Sequence, residues 1–224
     1  MGAGPAGLTA AYYLCLLGNE IDLYDSFSKP GGMLRYGIPR YRLPANILDA
    51  EINDILSLGV KFHPDRKINS LEELSEYDAL LWTTGASLTV PLPKGTYNEG
   101  TVVDGLDFLK RINFGEKISY DGAVAVIGGG NVATDVARTV SRMGAGKVTV
   151  IYRRTRDEMP AYESEIDEML KEGVEIRFLL EPVSVSKCNG KIKVVLQKMK
   201  LGEPDSSGRR SPVPLEGESS EMMV

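Results

Sequence analysis

Glycines followed at a set distance by arginines are the residues of this sequence that most clearly indicate chemistry. Gly128 and Gly130 end an apolar run, and Ala133 stands three positions later. In a dinucleotide-binding turn the first glycine permits a tight turn and the second lets the backbone approach a pyrophosphate. A small third residue lets the following helix pack closely. The unpaired N–H groups and the dipole at the helix start then bind the anion.

The residues beyond this turn indicate which nucleotide it binds. An NAD-binding unit usually has an acidic residue about 20 positions further on, to bind the ribose 2′-hydroxyl. This sequence has Arg153 and Arg154 there, with Arg156 close behind. A carboxylate would repel a 2′-phosphate, whereas a guanidinium binds one with paired hydrogen bonds. The pattern predicts an NADP(H) site, and the alternative is that both arginines are solvated side chains at a strand end.

A second glycine fingerprint stands at the start of the chain. Gly2, Gly4 and Gly7 open an apolar helix, and Asp25 follows the next strand at close to the distance expected for a ribose-binding acid. Two turns with opposite ribose chemistry predict FAD at the first and NADP(H) at the second. A buried strand should precede such a turn. Since only Met1 precedes Gly2, we expect the first strand of this domain to lie outside the sequence.

The stretch from Pro30 to Pro44 is rich in proline and glycine, so we expect a shaped loop rather than a long helix or strand. It carries Arg35, Arg40 and Arg42 beside aromatic and small apolar residues. One interpretation is a surface loop with scattered charges. The other is a cover for a flat, anionic cofactor, with arginine for the phosphate and apolar groups for the ring.

The elements that must position the second turn are predicted by apolar periodicity. Residues 123–127 and 147–152 have the composition of buried strands. Between them Val132, Val136, Val140 and Met143 recur at the spacing of one buried helix face. The pattern predicts a βαβ unit of a parallel sheet, and the fold class is therefore α/β with two Rossmann-like dinucleotide-binding domains.

Further elements follow from local signals. Residues 79–83 have the composition of a buried strand that ends in a turn at Thr84, Gly85 and Ala86. Pro160 suits a first helical position, and residues 161–172 read as an acidic amphipathic helix with a solvated acidic face. Asn189 and Gly190 indicate a two-residue hairpin. We expect residues 91–100 to be a connector, and residues 202–221 to connect or to have no regular structure.

Composition excludes several classes of function. The net charge of −5 argues against a nucleic-acid surface, and no apolar run approaches the roughly 20 residues needed to span a membrane. Cys15 and Cys188 are too few for a cysteine-ligated cluster or a redox pair, and a reducing, cytoplasmic compartment is expected. His63 is the only histidine, so neither a histidine metal site nor a Ser-His-Asp arrangement is supported.

The motifs GAGPAG, PGGMLRYGIPRYRLP, TTGA, VIGGGNVATDVART and YRRTRDEMPA occur in that order. With them the chain resembles the family of the small (β) subunit of NADPH-dependent glutamate synthase. The pattern is shared by the electron-input half of dihydropyrimidine dehydrogenase and by related ferredoxin–NADP reductase and sulfide dehydrogenase subunits. The resemblance implies FAD-contacting positions at Gly2, Gly4, Ala6, Gly7, Asp25, Gly32, Arg35, Arg42 and Gly85. It implies NADPH-contacting positions at Gly128, Gly130, Asn131, Val132, Arg153 and Arg154.

The resemblance also implies a domain order: residues 1–95 form an incomplete FAD domain, and residues 96–224 form an NADPH domain with a β-hairpin. The closing part of the FAD domain and an iron–sulfur domain would lie outside the sequence. The expected activity is hydride transfer from NADPH to FAD, with electrons passed to an iron–sulfur partner subunit or domain that resembles the glutamate synthase large subunit or a ferredoxin. The alternatives are a non-catalytic NADPH-binding fragment or interaction module, and a simple NADP-dependent dehydrogenase. The second fingerprint, and the lack of a proton donor for a carbonyl substrate, weaken the last.

Overall fold

The computed structural model describes residues 1–86, 89, 96–98 and 100–224. The chain forms two compact units, Met1–Leu88 and Thr89–Val224. Residues 91–95 and 99, which belong to the predicted connector, lie outside the described residues. Residue 95, the predicted end of the first domain, is among them.

The first unit is a small parallel sheet with helices packed against it. Its elements are α1 (Pro5–Leu16), β1 (Asp22–Tyr24), α2 (Met33–Tyr36), α3 (Ala45–Ser57), β2 (Lys61–His63) and a 3₁₀ turn (Leu71–Leu74). Strands β1 and β2 pair in parallel, with Leu23 opposite Phe62. Leu8 and Ala11 of α1 and Leu48 and Ile52 of α3 form the core with Leu23. The loop predicted around residues 30–44 contains only the single helical turn α2.

The strand predicted at residues 79–83 is wrong. Leu80, Leu81 and Trp82 are 42%, 52% and 60% exposed, and the segment has no regular secondary structure. Its backbone bonds run to Met1, whose amino group donates to the Leu81 carbonyl at 2.6 Å. The Thr83 amide in turn donates to the Met1 carbonyl at 2.7 Å. Among the described residues, Met1 alone bonds this segment with its backbone, and one residue is too short to form a β-ladder with residues 79–83.

The second unit contains a parallel sheet with the strand order β3-β4-β5. Its strands are β3 (Ala123–Ile127), β4 (Lys147–Tyr152) and β5 (Glu175–Phe178), and its helices are α4 (Gly105–Asn113), α5 (Asn131–Arg142) and α6 (Glu163–Lys171). Helix α5 joins β3 to β4, and α6 lies between β4 and β5 in the chain. The predicted βαβ unit is present with the predicted strand bounds, and the α/β class with Rossmann-like elements is confirmed.

Helix α5 packs on this sheet through Ala137 and Val140, with Val136 and Met143 against the same core. Val132 is 40% exposed, so its predicted burial is wrong. It stands in the first turn of the helix, above the end of the strands.

The acidic residues of and beside α6 are not all solvated, which corrects the predicted acidic face. Arg138 of α5 is buried, and it pairs with Glu172 through Nη2 at 2.6 Å and with Glu165 through Nη1. Arg142 pairs with Glu172 as well, also at 2.6 Å. These ion pairs hold α5 against the segment that carries α6, because a buried guanidinium requires charged partners.

An antiparallel sheet of order β6-β7-β8 completes the second unit. Its strands are β6 (Leu180–Cys188), β7 (Lys191–Pro204) and β8 (Arg210–Met223). The predicted hairpin is confirmed, with Asn189 and Gly190 at φ values of 50° and 77°. Strand β8 contradicts the expectation for residues 202–221. It is an edge strand, and an edge tolerates the prolines and charges that made the segment look irregular.

Candidate functional site

The first glycine turn leaves no room for a side chain at Gly2 or Gly7. Gly2 has φ +99°, and its amide donates to the Tyr24 carbonyl at 2.8 Å. A Cβ on Gly2 would overlap the Thr83 carbonyl oxygen, and a Cβ on Gly7 would overlap the Gly2 carbonyl oxygen. Helix α1 therefore packs directly on the turn, as the fingerprint predicts.

Asp25 lies at this turn, where the spacing predicts a ribose-binding acid. Its Oδ2 accepts the Ala3 amide at 2.7 Å and its Oδ1 accepts the Phe27 amide at 2.9 Å. An ionised carboxylate has about four acceptor positions, so these two bonds orient the group and leave it able to accept hydroxyl donors.

The loop after β1 is brought against the same turn. The Gly31 amide donates to the Ala3 carbonyl at 2.7 Å. Gly32, at φ +52°, would place a Cβ only 2.6 Å from the Gly4 Cα. The backbones at Gly4 and Gly32 meet with no side chain between them, and we call this contact the cradle. A Cβ on Gly32 would fill it. This geometry fits the approach of a dinucleotide to bare backbone.

Arg35 does not face this cradle as a free cation. Its Nε donates to the Pro30 carbonyl at 2.5 Å, its Nη2 pairs with Asp49 Oδ1 at 2.6 Å, and its side chain is 5% exposed. The guanidinium therefore ties the loop to α3. The contacts of Arg35 with Pro30 and Asp49 give it a structural role. Its contact with FAD stays a prediction.

The remaining predicted positions of the first site lie around the turn. Ala6 is exposed in the first turn of α1, and Arg42 is half-buried after α2. Gly85 has φ +70° and is exposed. Thr83, two residues before Gly85, was not predicted. Its hydroxyl lies 2.8 Å from the Met1 carbonyl and 2.9 Å from the Gly2 carbonyl, so it helps to anchor the turn.

The second turn lies at the carboxyl edge of the parallel sheet. Ile127 of β3 pairs with Ile151 of β4, and the Gly128 amide donates to the Ile151 carbonyl at 3.0 Å. Gly128 has φ +131°, and a Cβ there would be 3.4 Å from the Ala133 Cβ. The turn and the residues after β4 thus leave the sheet at one edge, where open α/β sheets bind ligands.

The start of α5 is suited to an anion. Gly130 is the N-cap residue and has no side chain with which to cap the helix, so the first amides of α5 face outward. A Cβ on Gly130 would lie 3.8 Å from Pro160 Cγ, an ordinary van der Waals contact, so no protein atom crowds this position. Asn131 Oδ1 accepts the Tyr162 amide at 3.0 Å, and Val132 is exposed. These residues fit a pyrophosphate.

Gly129, the middle glycine, has a role that sequence reasoning missed. A Cβ there would lie 2.6 Å from two ring carbons of Tyr152. The Tyr152 hydroxyl donates to the Glu158 carbonyl at 2.6 Å, and the Ala161 amide donates to the Gly129 carbonyl at 3.2 Å. The run of three consecutive glycines, 128–130, is the sequence feature that could have indicated this role.

These bonds also correct the predicted helix start. Because the Ala161 amide donates to Gly129 and the Tyr162 amide donates to the Asn131 side chain, the chain becomes helical only at Glu163. Pro160 therefore precedes the helix instead of opening it.

The two predicted arginines have different surroundings. Arg153 is half-exposed, with Nη1 3.0 Å from Glu181 Oε1. Arg154 is buried, with Nη2 2.6 Å from Asp205 Oδ2 and Nε donating to the Arg210 carbonyl at 2.7 Å. Arg153 is thus placed to exchange a partner at the surface, whereas Arg154 is held by the turn between β7 and β8.

Two kinds of feature are absent from the described residues. No group of three or more His, Cys, Asp or Glu side chains in that part of the chain is placed to hold a metal ion. None of the helices described there is long and apolar enough to cross a membrane.

The chain is similar to known oxidoreductases along nearly its whole length. It is 43% identical over 225 residues to the β subunit of an NADP(+)-dependent formate dehydrogenase from Moorella thermoacetica. It is 35% identical over 232 residues to a putative small chain of NADPH glutamate synthase from Cereibacter sphaeroides. Each alignment covers 97% of this chain, but only 32% and 56% of the respective relative.

The fold is shared with FprA of Mycobacterium tuberculosis, solved in complex with NADPH. The TM-score is 0.77 at 18% sequence identity, over 99% of this chain and 67% of FprA.

The family assignment rests on residues 1–206, which match the family described as pyridine nucleotide-disulphide oxidoreductase. The match confirms the predicted oxidoreductase class, and it confirms FAD and NADPH as the cofactors at the level of the family. The resemblance to the glutamate synthase small-subunit group is confirmed by the relatives. On this evidence the chain belongs to the pyridine nucleotide-disulphide oxidoreductase family.

Proposed function

We propose that this chain is the dinucleotide-binding part of a flavin-dependent NADPH oxidoreductase that takes a hydride from NADPH onto FAD. The electrons then pass to an iron–sulfur partner. The observation that carries the proposal is the pair of glycine turns in separate units. The first turn lies beside the Asp25 carboxylate, which accepts the Ala3 amide, and the second lies at the sheet edge that carries Arg153.

The first unit would hold FAD, within a domain assigned to residues 1–95. The Gly2–Gly7 turn and the start of α1 would bind the pyrophosphate, and Asp25 would bind the ribose. The glycines that meet at Gly4 and Gly32 would let the cofactor approach the backbone. Positions assigned to the same cofactor by resemblance alone are Ala6, Arg35, Arg42 and Gly85.

The second unit would hold NADPH, within a domain assigned to residues 96–224. The outward-facing amides at the start of α5 would bind the pyrophosphate beside Gly128 and Gly130, with Asn131 and Val132 lining the approach. Arg153 would exchange its surface partner Glu181 for the 2′-phosphate. This exchange costs little because an exposed ion pair contributes only about 0–1 kcal/mol.

When both cofactors are bound, NADPH supplies the hydride and FAD accepts it, so the chemistry belongs to the cofactors. The residues of this chain would bind and orient the two cofactors, and hydride transfer between them requires no acid–base side chain. The similar proteins named above are a β subunit and a small chain. That observation supports a partner to which the electrons go.

Absorbance of the purified chain tests the proposal. We expect bound flavin, with its visible absorbance bleached by NADPH under anaerobic conditions. A colourless chain that takes up no added FAD but still binds NADPH would contradict the flavin part. That result would favour an NADPH-binding module.

Substitution of Arg153 tests the nucleotide assignment. Arg153→Ala should weaken NADPH binding by about 1.5–3 kcal/mol, the range for a hydrogen bond to a charged group. NADH binding should be nearly unchanged. Arg111→Ala is a matched control, since Arg111 of α4 is a partly exposed arginine paired with Glu116. Equal weakening of both nucleotides by Arg153→Ala would refute the 2′-phosphate role.

A further inference from the structure

The segment after β4 is anchored to a distant hairpin. We call residues 153–158 the arginine loop, and residues 205–210, the turn after β7 together with the first residue of β8, the hairpin tip. Arg154 bonds the tip at two points: Nη2 to Asp205 Oδ2 at 2.6 Å, and Nε to the Arg210 carbonyl at 2.7 Å. Only 7% of the Arg154 side chain is exposed, and these two bonds fix its guanidinium.

A second link joins the end of the arginine loop to the hairpin tip. Arg210 Nε donates to Glu158 Oε1 at 3.3 Å. The Glu158 carboxylate also accepts the Thr155 amide at 3.3 Å and the Thr155 hydroxyl. The Thr155 hydroxyl is the largest of the effects that hold the pKa of Glu158 below its usual value. Glu158 is therefore ionised at neutral pH and able to bind Arg210.

The hairpin tip orients Asp205 by itself. Asp205 Oδ1 accepts the Ser207 amide at 2.8 Å and the Ser207 hydroxyl at 2.5 Å. The Gly208 amide donates to the Asp205 carbonyl at 2.9 Å, and the Asp205 amide donates to the Arg209 carbonyl at 2.8 Å. Oδ2 is consequently directed at Arg154 by bonds that do not depend on the arginine loop.

Arg153 stands between two fixed neighbours. Tyr152 packs beneath Gly129, and Arg154 is held by the hairpin tip through its side chain. The Arg154 carbonyl also accepts the Leu179 amide at 3.2 Å. The backbone of Arg153 is thus fixed on both sides, while its side chain remains half-exposed. Guanidinium recognition of a phosphate depends on such positioning because the paired hydrogen bonds are directional.

We propose that Asp205 and Glu158 are positioning residues for nucleotide selectivity. Through Arg154 and Arg210 they hold the arginine loop so that Arg153 meets the 2′-phosphate of NADPH. The inference rests on the proposed function of Arg153. It assigns the preference for NADPH over NADH in part to a hairpin more than 50 residues further along the chain.

Asp205→Asn tests this, because the amide oxygen can keep the bonds to Ser207 while the charge opposite Arg154 is removed. The control is Glu175→Gln, which removes the charge of the 2.8 Å ion pair with Lys147, the first residue of β4 and so at its opposite end. Dissociation constants for NADPH and NADH would be measured by fluorescence titration of the full chain. We expect Asp205→Asn to weaken NADPH about five- to tenfold, less than the loss of the contacting arginine itself. NADH should change less than about twofold, and the control should change neither.

Equal weakening of both nucleotides would mean a general structural role and would overturn the proposal. Tighter NADPH binding would overturn it too, because Arg154 would then be a phosphate ligand that Asp205 restrains. Unchanged selectivity in Asp205→Asn, with Arg153→Ala still selective, refutes the positioning role and leaves the proposed function intact. If Asp205→Asn does not fold, Glu158→Gln asks the same question at the second link. A lack of selectivity change in Arg153→Ala instead refutes the proposed function.

Discussion

Two adjacent glycines of the second turn should respond differently to the same substitution, one mainly in stability and the other mainly in NADPH binding. A Cβ on Gly129 would lie 2.6 Å from Cδ2 and Cε2 of Tyr152, a residue that is 6% exposed. A Cβ on Gly130 would lie 3.8 Å from Pro160 Cγ. The first methyl group collides with the protein, whereas the second fits and would stand at the start of α5, where we propose that the pyrophosphate binds.

The magnitudes follow from these distances. Carbon atoms prefer separations of about 3.5–4.0 Å, so in Gly129→Ala the ring and the turn must part by roughly 1 Å. The Tyr152 hydroxyl is bonded to the Glu158 carbonyl at 2.6 Å, which opposes that movement. Gly129→Ala should lower the free energy of unfolding by about 1–3 kcal/mol, the range for overpacking. Gly130→Ala should lower it by about 0.5–1 kcal/mol, since glycine caps a helix better than alanine.

Binding should show the reverse order. Gly130→Ala should weaken NADPH by about 1.5–3 kcal/mol, because the methyl group would keep the pyrophosphate from its amide donors. Urea unfolding followed by circular dichroism would give the stabilities, and fluorescence titration would give the NADPH affinity. Tyr152→Leu supplies the matched background, in which the collision at Gly129 should largely disappear. If Gly129→Ala costs the same in both backgrounds, or if Gly130→Ala binds NADPH normally, the assignment of the two glycines is refuted.

Two further predictions concern other contacts. Gly32→Ala should lower the free energy of unfolding by about 1–3 kcal/mol. The reason is that Gly32 has φ +52° and a Cβ there would lie 2.6 Å from the Gly4 Cα. A purified variant that keeps both its flavin and its stability would contradict this prediction. Glu172→Gln should cost about 2–3 kcal/mol, because buried Arg138 loses one of its two carboxylates; an unchanged urea midpoint would contradict this. Burial raises the pKa of Glu172, but bonds from Arg138 and Arg142 outweigh that and leave the pKa lowered. This contribution is therefore present above the ordinary pKa and is lost as pH falls through the lowered one, so the stability difference between the wild type and Glu172→Gln should shrink as pH falls through that range.

The second βαβ unit could be predicted from sequence because its signals are local. Residues 123–127 and 147–152 were predicted as strands and are β3 and β4. Gly128 was predicted to permit a tight turn, and its φ is +131°. The Asn189–Gly190 hairpin was equally readable, since both residues adopt positive φ. Periodicity and turn chemistry act within a few neighbouring residues, so a short window contains them.

Where charged side chains find partners could not be predicted in the same way. Arg153 and Arg154 are adjacent and alike in sequence, yet one is half-exposed and the other is bonded to Asp205. Arg35 looked like a phosphate ligand, and the fold places it against Asp49. Each pairing joins residues that are far apart in the chain. It is decided by which elements pack together and not by local propensity.

The α/β class, the glycine turns, and the carboxylate and guanidinium that distinguish them could all be predicted from local sequence. The edge position of β8, the packing of Tyr152 beneath Gly129 and the bonds from the hairpin tip to Arg154 emerge only on folding. Backbone conformation responds to nearest neighbours, whereas burial and charge pairing depend on contacts made only when the chain has folded.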